Sequence, residues 1–193
     1  MKTWMMAPIL AALLLSPGSV HAASLKLGKP AYGGPGCPAG SASVAMSGNS
    51  ITLRFDRYQV AAGGSTGKSF DRKACSVSIP VTVPAGQAIA VVGIDYAGYN
   101  NLPAGASSTF KVEQFLAGGK GPVFTKTVSG PAKGKFAVSS DAALSWSGCG
   151  GGVTLRTNTS LIVKTSGGRV ASASVRSQDV KAAIVYRLKV KSC

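Results

Sequence analysis

RKACSVSIPVTVPAGQAIAVVGIDYAGY, residues 72–99, is the stretch whose reading decides the fold. Cys75, Val77, Ile79, Val81 and Val83 alternate with Ser76, Ser78, Pro80 and Thr82, the period of two that a strand shows when one face is buried. Pro84-Ala85-Gly86 then reverses the chain. Residues 87–96 are more continuously apolar, as a central strand would be. Polar and turn residues return at Asp95-Tyr96-Ala97-Gly98-Tyr99, which predicts the end of that strand.

Working outward, strand candidates recur at 41–46, 51–58, 108–115, 123–128, 135–138, 153–164, 169–175 and 180–190, separated by Gly, Pro and Ser. Ser47-Gly48-Asn49 reads as the turn of a hairpin. No stretch sustains a helical period and no internal repeat is present, although 178–181 fits one short turn. The expectation is an all-β chain, an antiparallel β-sandwich stapled by two disulfides. Residues 1–22 read as a cleaved signal peptide, 23–36 as an extended Gly/Pro/Lys arm, and 37–193 as a single sandwich domain.

The leader has Lys2, an apolar run from Trp4 to Leu15, the helix breakers Ser16-Pro17-Gly18, and Val20-His21-Ala22 before the cut. That run falls short of the roughly 20 residues a bilayer span needs. No cysteine follows the cut and the chain ends in a charged segment, so no transmembrane or lipid anchor is expected. The expected product is a secreted monomer, periplasmic or at the cell surface if the source is a Gram-negative bacterium. Removing Lys2 lowers the formal charge from +15 to +14, against only six acidic residues. Such a surface favours an anionic polymer or polysaccharide as partner, with no specific nucleic acid implied; its alternative reading is solubility through self-repulsion.

Cys37, Cys75, Cys149 and Cys193 remain after the leader, and export makes two disulfides the natural expectation. Four cysteines allow three connectivities. Pairing Cys37 with Cys75 and Cys149 with Cys193 closes a separate loop in each half, each worth about 4 kcal/mol in the chain-entropy treatment. No C-x-x-C spacing occurs, so no metal is expected.

The single histidine, His21, lies in the leader, which removes Ser-His-Asp and Cys-His catalysis from the mature chain. No catalytic residue and no cofactor are expected. The alternative is a carboxylate-dependent glycoside hydrolase, for which Asp56 and Asp95 are the best pair, although the favoured reading of both is as turn caps or partners of Lys and Arg. Residues 62–69, AGGSTGKS, fit a relaxed phosphate-loop pattern, but an alternating strand follows in place of the helix that such a loop requires, so the segment reads as a mobile loop. Asn158-Thr159-Ser160 is a formal glycosylation acceptor. Trp146 reads as a core residue packed on a disulfide, with sugar stacking as the rival. Asp95, Tyr96 and Tyr99 are the candidate ligand-facing group, with packing as the favoured reading of the two rings.

In the last strand Ala182, Ile184, Tyr186, Leu188 and Val190 alternate with Lys181, Arg187, Lys189 and Lys191. Alternation puts these cations on one face, where they read either as a polyanion-binding stripe uninterrupted by acid or as gatekeepers of an edge strand. Lys120, Lys133 and Lys135 read as a separate loop cluster.

Taken in order, Gly36-Cys37-Pro38, Phe55-Asp56, Arg72 to Cys75, Pro84-Ala85-Gly86, Asp95-Tyr96-Ala97-Gly98-Tyr99, Trp146-Ser147-Gly148-Cys149 and Cys193 resemble a family of small secreted proteins of fungi and bacteria, the domain of unknown function DUF4360. The chain departs from the family pattern at Ala97, where a basic residue precedes the glycine, and at Val190, near a tryptophan position. The resemblance implies export, four cysteines and a β-rich fold, and it brings no activity with it.

Overall fold

The computed structural model describes residues 24–116, 121–141, 146–175 and 184–193. Among them, strands form two antiparallel sheets. Sheet I holds β1 (Lys26–Leu27), β2 (Ala31–Gly33), β6 (Phe70–Val83), β8 (Ala106–Leu116), β9 (Val123–Ser129) and β11 (Gly151–Thr165). Sheet II holds β3 (Ala42–Ser47), β4 (Ser50–Phe55), β5 (Gln59–Ala62), β7 (Gln87–Leu102), β10 (Ala132–Asp141), β12 (Ala171–Ser174) and β13 (Ile184–Ser192). The antiparallel sandwich read from the alternation is the observed fold.

The Pro-Ala-Gly turn carries the chain from one sheet to the other. β6 pairs with β11 in sheet I, whereas β7 is the centre of sheet II, with β10 on one side and β12 and β13 in succession on the other. Cys75, Val77, Ile79, Val81 and Val83 are all buried, as the alternation requires. The unbroken apolar run of β7 has a different cause. Arg187 pairs with Gly93 but Leu188 pairs with Val91, so Val92 is an extra residue, a bulge that reverses which positions face inward. Ile89 and Val91 point into the core before it, and Ile94 and Tyr96 after it.

The predicted strand end at Asp95–Tyr99 is corrected, since β7 continues to Leu102. Tyr96, Asn100 and Leu102 face inward while Asp95, Ala97, Tyr99 and Asn101 alternate outward. Asn100 looks like a turn residue but is a core one, because its Oδ1 accepts from Ser108 Oγ across the sandwich at 2.8 Å. Gly98 leaves room that a Cβ would fill, and the Phe136 ring occupies it.

Aromatic rings fill the space between the sheets. Phe55 meets Tyr58 edge to face at 5.3 Å, and Tyr96 meets Phe110 at 5.6 Å. Phe110 also reaches Phe136 at 6.4 Å, so Phe110→Ala would cost about 3–5 kcal/mol. Two phenols, Tyr58 from the connection between β4 and β5 and Tyr186 from β13, bond neighbouring inward threonines of β11: Tyr58 to Thr159 at 3.0 Å and Tyr186 to Thr157 at 2.6 Å. Burial raises the pKa of both, and the threonine bonds oppose that rise only in part.

The disulfides are Cys37–Cys75 and Cys149–Cys193. The first ties the entry to β3 onto β6. The second ties the chain end to the turn before β11. Residues 23–36, read as an extended arm, include β1 and β2, which lie in register on β6. In the 62–69 segment Gly64–Thr66 makes one short turn and β6 follows at Phe70, with no helix after it. The Thr66 hydroxyl donates to Gly63 O at 2.9 Å, and Gly63 N donates to Lys68 O at 2.6 Å, so the segment is bonded to itself.

Candidate functional site

The outer face of sheet II collects most of the residues singled out by the sequence. Alternation along β13 puts Arg187, Lys189 and Lys191 there. Asp95 and Tyr99 share that face from β7. Tyr96 does not: it is only 3% exposed and its ring packs on Phe110, the packing reading of the two, so it leaves the ligand-facing group. Neighbours in a strand point to opposite faces, and Asp95 takes the outer one. Lys181 falls outside the described residues.

The cation stripe is not uninterrupted. Arg187 Nη1 donates to both oxygens of Asp95 at 2.5 Å, and Nη2 lies 3.4 Å from Asp141 Oδ1 on β10. A Cβ on Gly93 would collide with the guanidinium, so the glycine is what lets Arg187 lie flat across β7 between the two carboxylates. Partial burial alone would raise the Asp95 pKa, but hydrogen bonds from Arg187 and Ser139 with the Arg187 charge outweigh it and hold the carboxyl below its ordinary value. The Asp95 bond in turn raises the Arg187 pKa. Arg187 therefore belongs to an ion network spanning three strands, leaving Lys189 and Lys191 as the outward cations of β13.

Lys191 has an aromatic neighbour that sequence reading placed in the core. Trp146 is 38% exposed, and Lys191 Nζ sits 4.4 Å from its ring centroid, within cation–π range. Two hydrogen bonds between Ser147 and Ile89 dock residues 146–148 along one side of β7. Lys191 and Lys189 pair with Ala88 and Ala90 on the other side. The indole therefore reaches across the outer face of β7. Ala88 and Ala90 face outward yet are only 1% and 2% exposed, as residues beneath such a ring would be. Their small size was the available signal: two alanines alternating with Ile89 and Val91 leave room for a ring on the outer face.

At the far end of the same face, about 40 Å along β7, Lys135 lies opposite Tyr99 and Lys133 opposite Asn101. The predicted separation of these lysines as a loop cluster is corrected, because both belong to β10 and point to the stripe's own face; Lys120 lies outside the described residues. A hollow of about 450 Å³ there is lined by Asn101, Lys133, Arg169 and Val170.

The carboxylate alternative fares differently. Thr52 and Asp95 are both level with Val185 of β13, and Asp56 lies four residues beyond Thr52. That is about 13 Å along and two strands across, well outside the 5–10 Å of a glycosidase pair. Among the described residues no cluster of His, Cys, Asp and Glu is placed to hold a metal. Asn158 of the glycosylation motif faces outward on sheet I, its Nδ2 3.5 Å from Glu113 Oε2.

Fold and surface together define an all-β chain with two disulfides and a basic, aromatic-flanked outer face. Residues 23–193 match the domain of unknown function DUF4360, and the chain belongs to that family. It is 33% identical over 133 residues to an uncharacterized secreted protein of Arthroderma benhamiae, covering 66% of this chain and 54% of the relative. The chain thus spans about half the length of the curated relative it matches. The relative is named a secreted protein, and among the described residues no helix is long and apolar enough to cross a membrane.

Two solved carbohydrate-binding modules superpose weakly. One is TmCBM61 in complex with β-1,4-galactotriose, with a TM-score of 0.28 and 8% identity over 85% of this chain and 88% of that one. The other is a family 11 module of Clostridium thermocellum in complex with a β-1,3-1,4-mixed-linked tetrasaccharide, with a TM-score of 0.18 and 8% identity over 78% and 87%. Superposition this weak lends neither module's ligand to this chain.

Proposed function

We propose that this protein is an exported, non-enzymatic binding module that engages an anionic polysaccharide or similar polymer of the cell surface or matrix on the outer face of sheet II. The observation that carries the reading is the exposed indole of Trp146 beside Lys191, with Lys189 two residues along the same face of β13. A flat aromatic face takes the apolar face of a sugar ring, and ammonium groups next to it take the acidic substituents. Among the described residues no acidic side chain pairs with either lysine. Edge protection accounts for part of the same pattern, since β13 pairs with β4 only through Arg187 and is open on that side beyond Leu188. Gatekeeping requires charge but no tryptophan.

Trp4 lies in the leader, so the secreted chain has Trp146 as its one tryptophan. Titrating that chain with heparin at low salt is expected to change Trp146 emission in step with binding, and high salt to reverse both. Binding that leaves the emission untouched would place the polymer elsewhere and overturn the reading.

A further inference from the structure

The opposite side of the sandwich carries a trough built from a different set of residues. On the outer face of sheet I, β6 presents only small side chains between Arg72 and Pro80: Ala74, Ser76 and Ser78. β8, two strands away, presents Lys111, Glu113 and Phe115. Between them β11 contributes Arg156, Asn158 and Ser160. Pairing aligns these in three rows across the sheet: Ser78 with Arg156 and Phe115, Ser76 with Asn158 and Glu113, and Ala74 with Ser160 and Lys111.

Small residues along one flank and large ones along the other leave a depression. It consists of two hollows, of about 380 and 280 Å³, that merge at Ser76 and Asn158. Arg72 borders one end of it. Tyr32 lies at the rim, but it pairs with the inward-facing Val77 and its hydroxyl accepts from Gly40 N at 3.1 Å, so its ring turns away. From Arg72 to Ser78 the floor runs about 20 Å, long enough for several sugar residues in extended form.

The chemistry of the lining selects the occupant. Arg72, Lys111 and Arg156 supply three positive charges against the single carboxylate of Glu113, whose Oε2 is already near the Asn158 amide. Serine hydroxyls and the Asn158 amide donate to and accept from hydroxyl groups, and Phe115 offers a half-buried apolar ring. A polyphosphate would use the cations and leave the hydroxyl row and the ring idle. A neutral glycan would use the hydroxyl row and leave three cations desolvated beside it. We propose that this trough binds a carboxylated oligosaccharide, a run of uronic acid residues, with the cations on its carboxylates and the serines and Asn158 on its hydroxyls.

The site is independent of Trp146 and its lysines, which lie on the other sheet. The test therefore uses the secreted chain carrying Lys189→Ser and Lys191→Ser, titrated calorimetrically with a galacturonate hexamer and with the same hexamer fully methyl-esterified. Binding of the acid form is expected to persist in this background, and backbone amide resonances of 72–78, 111–115 and 156–160 should shift. Arg156→Gln and Lys111→Gln, both at exposed positions, should each weaken it about ten-fold through loss of a charge-assisted hydrogen bond. The methyl ester should bind at least ten-fold more weakly. No binding in the Lys189→Ser, Lys191→Ser background, undiminished affinity in both trough variants, equal affinity for the ester, or equal competition by a polyphosphate of matching length would each overturn the assignment. A negative heparin response at Trp146 would leave it standing.

Discussion

The Arg187 guanidinium donates to both carboxylate oxygens of Asp95 across the outer face of sheet II, at 2.5 Å. The pair joins β13 to the central strand, and Asp141 extends the network to β10. One cation of a sequence-level stripe is thereby committed to structure, which divides the outer face into two basic ends around a compensated centre.

A pH dependence follows. The Asp95 carboxyl is held below its ordinary value in the folded chain, so its contribution to stability is present above about pH 4 and is lost as pH falls through the lowered value. Both side chains are more than a third exposed, at 37% and 39%, so solvent screening limits the effect to about 1 kcal/mol or less. Asp95→Asn is expected to lower the urea midpoint at neutral pH, with the gap from wild type closing below about pH 4. A gap that stays constant into acid would show that the ion pair is not its source.

At the alkaline end the buried phenols govern. Tyr58 and Tyr186 have folded-state pKa values raised by burial, so the unfolded chain releases these protons first and stability falls as pH rises past about 10. Ultraviolet titration should find both phenols resisting ionisation until the chain unfolds. Tyr186→Phe should blunt the alkaline loss while leaving Thr157 without its 2.6 Å partner, a neutral-pH cost of about 1–2 kcal/mol. Free titration of both phenols in the folded protein would contradict the buried bonds.

Gln114 is fully buried opposite Thr157, and neither polar atom of its amide has a hydrogen-bond partner among the described residues. An unpaired buried amide costs about 1–3 kcal/mol. Gln114→Met, close in volume, is therefore expected to raise the denaturant midpoint by the equivalent of about 1–2 kcal/mol. A loss of stability on that substitution would mean that the amide is satisfied.

What the sequence made legible depended on how directly each feature followed from a period of two. The buried face of β6 and the Gly48 hairpin did, while the disulfide pairing rested instead on closing a separate loop in each half of an exported chain. β7 was harder. A bulge at Val92 and an ion network over Gly93 alter the alternation, and Asn100 is polar for a partner, Ser108, in the other sheet. Exposure of Trp146 ran opposite to expectation, and packing took Tyr96 out of the ligand-facing group, for one reason: the faces of a strand's end and of a docked loop are set by tertiary contacts. The trough was invisible for the same cause, since only the pairing of β6 with β11 and of β11 with β8 lines up its rows.

The two basic ends of sheet II make the last prediction. If one polymer lies along β7, Trp146, Lys189 and Lys191 hold one end, and Lys133 and Lys135 beside Tyr99 hold the other. Each lysine contacting the polymer releases a counterion, so log affinity should fall linearly with log salt, and the slope should drop by about one per contact removed. Lys189→Ser with Lys191→Ser is expected to lower the slope by about two and heparin affinity at low salt about ten-fold, and Lys133→Ser with Lys135→Ser to act in the same direction. Trp146→Ala should weaken binding without changing the slope, because a ring releases no counterion. The control is Lys29→Ser with Lys126→Ser, which removes the same charge from exposed positions outside sheet II. Equal losses from the control and from Lys189→Ser with Lys191→Ser would mean that net charge alone attracts the polymer, and the outer face of sheet II would then have no claim as a site.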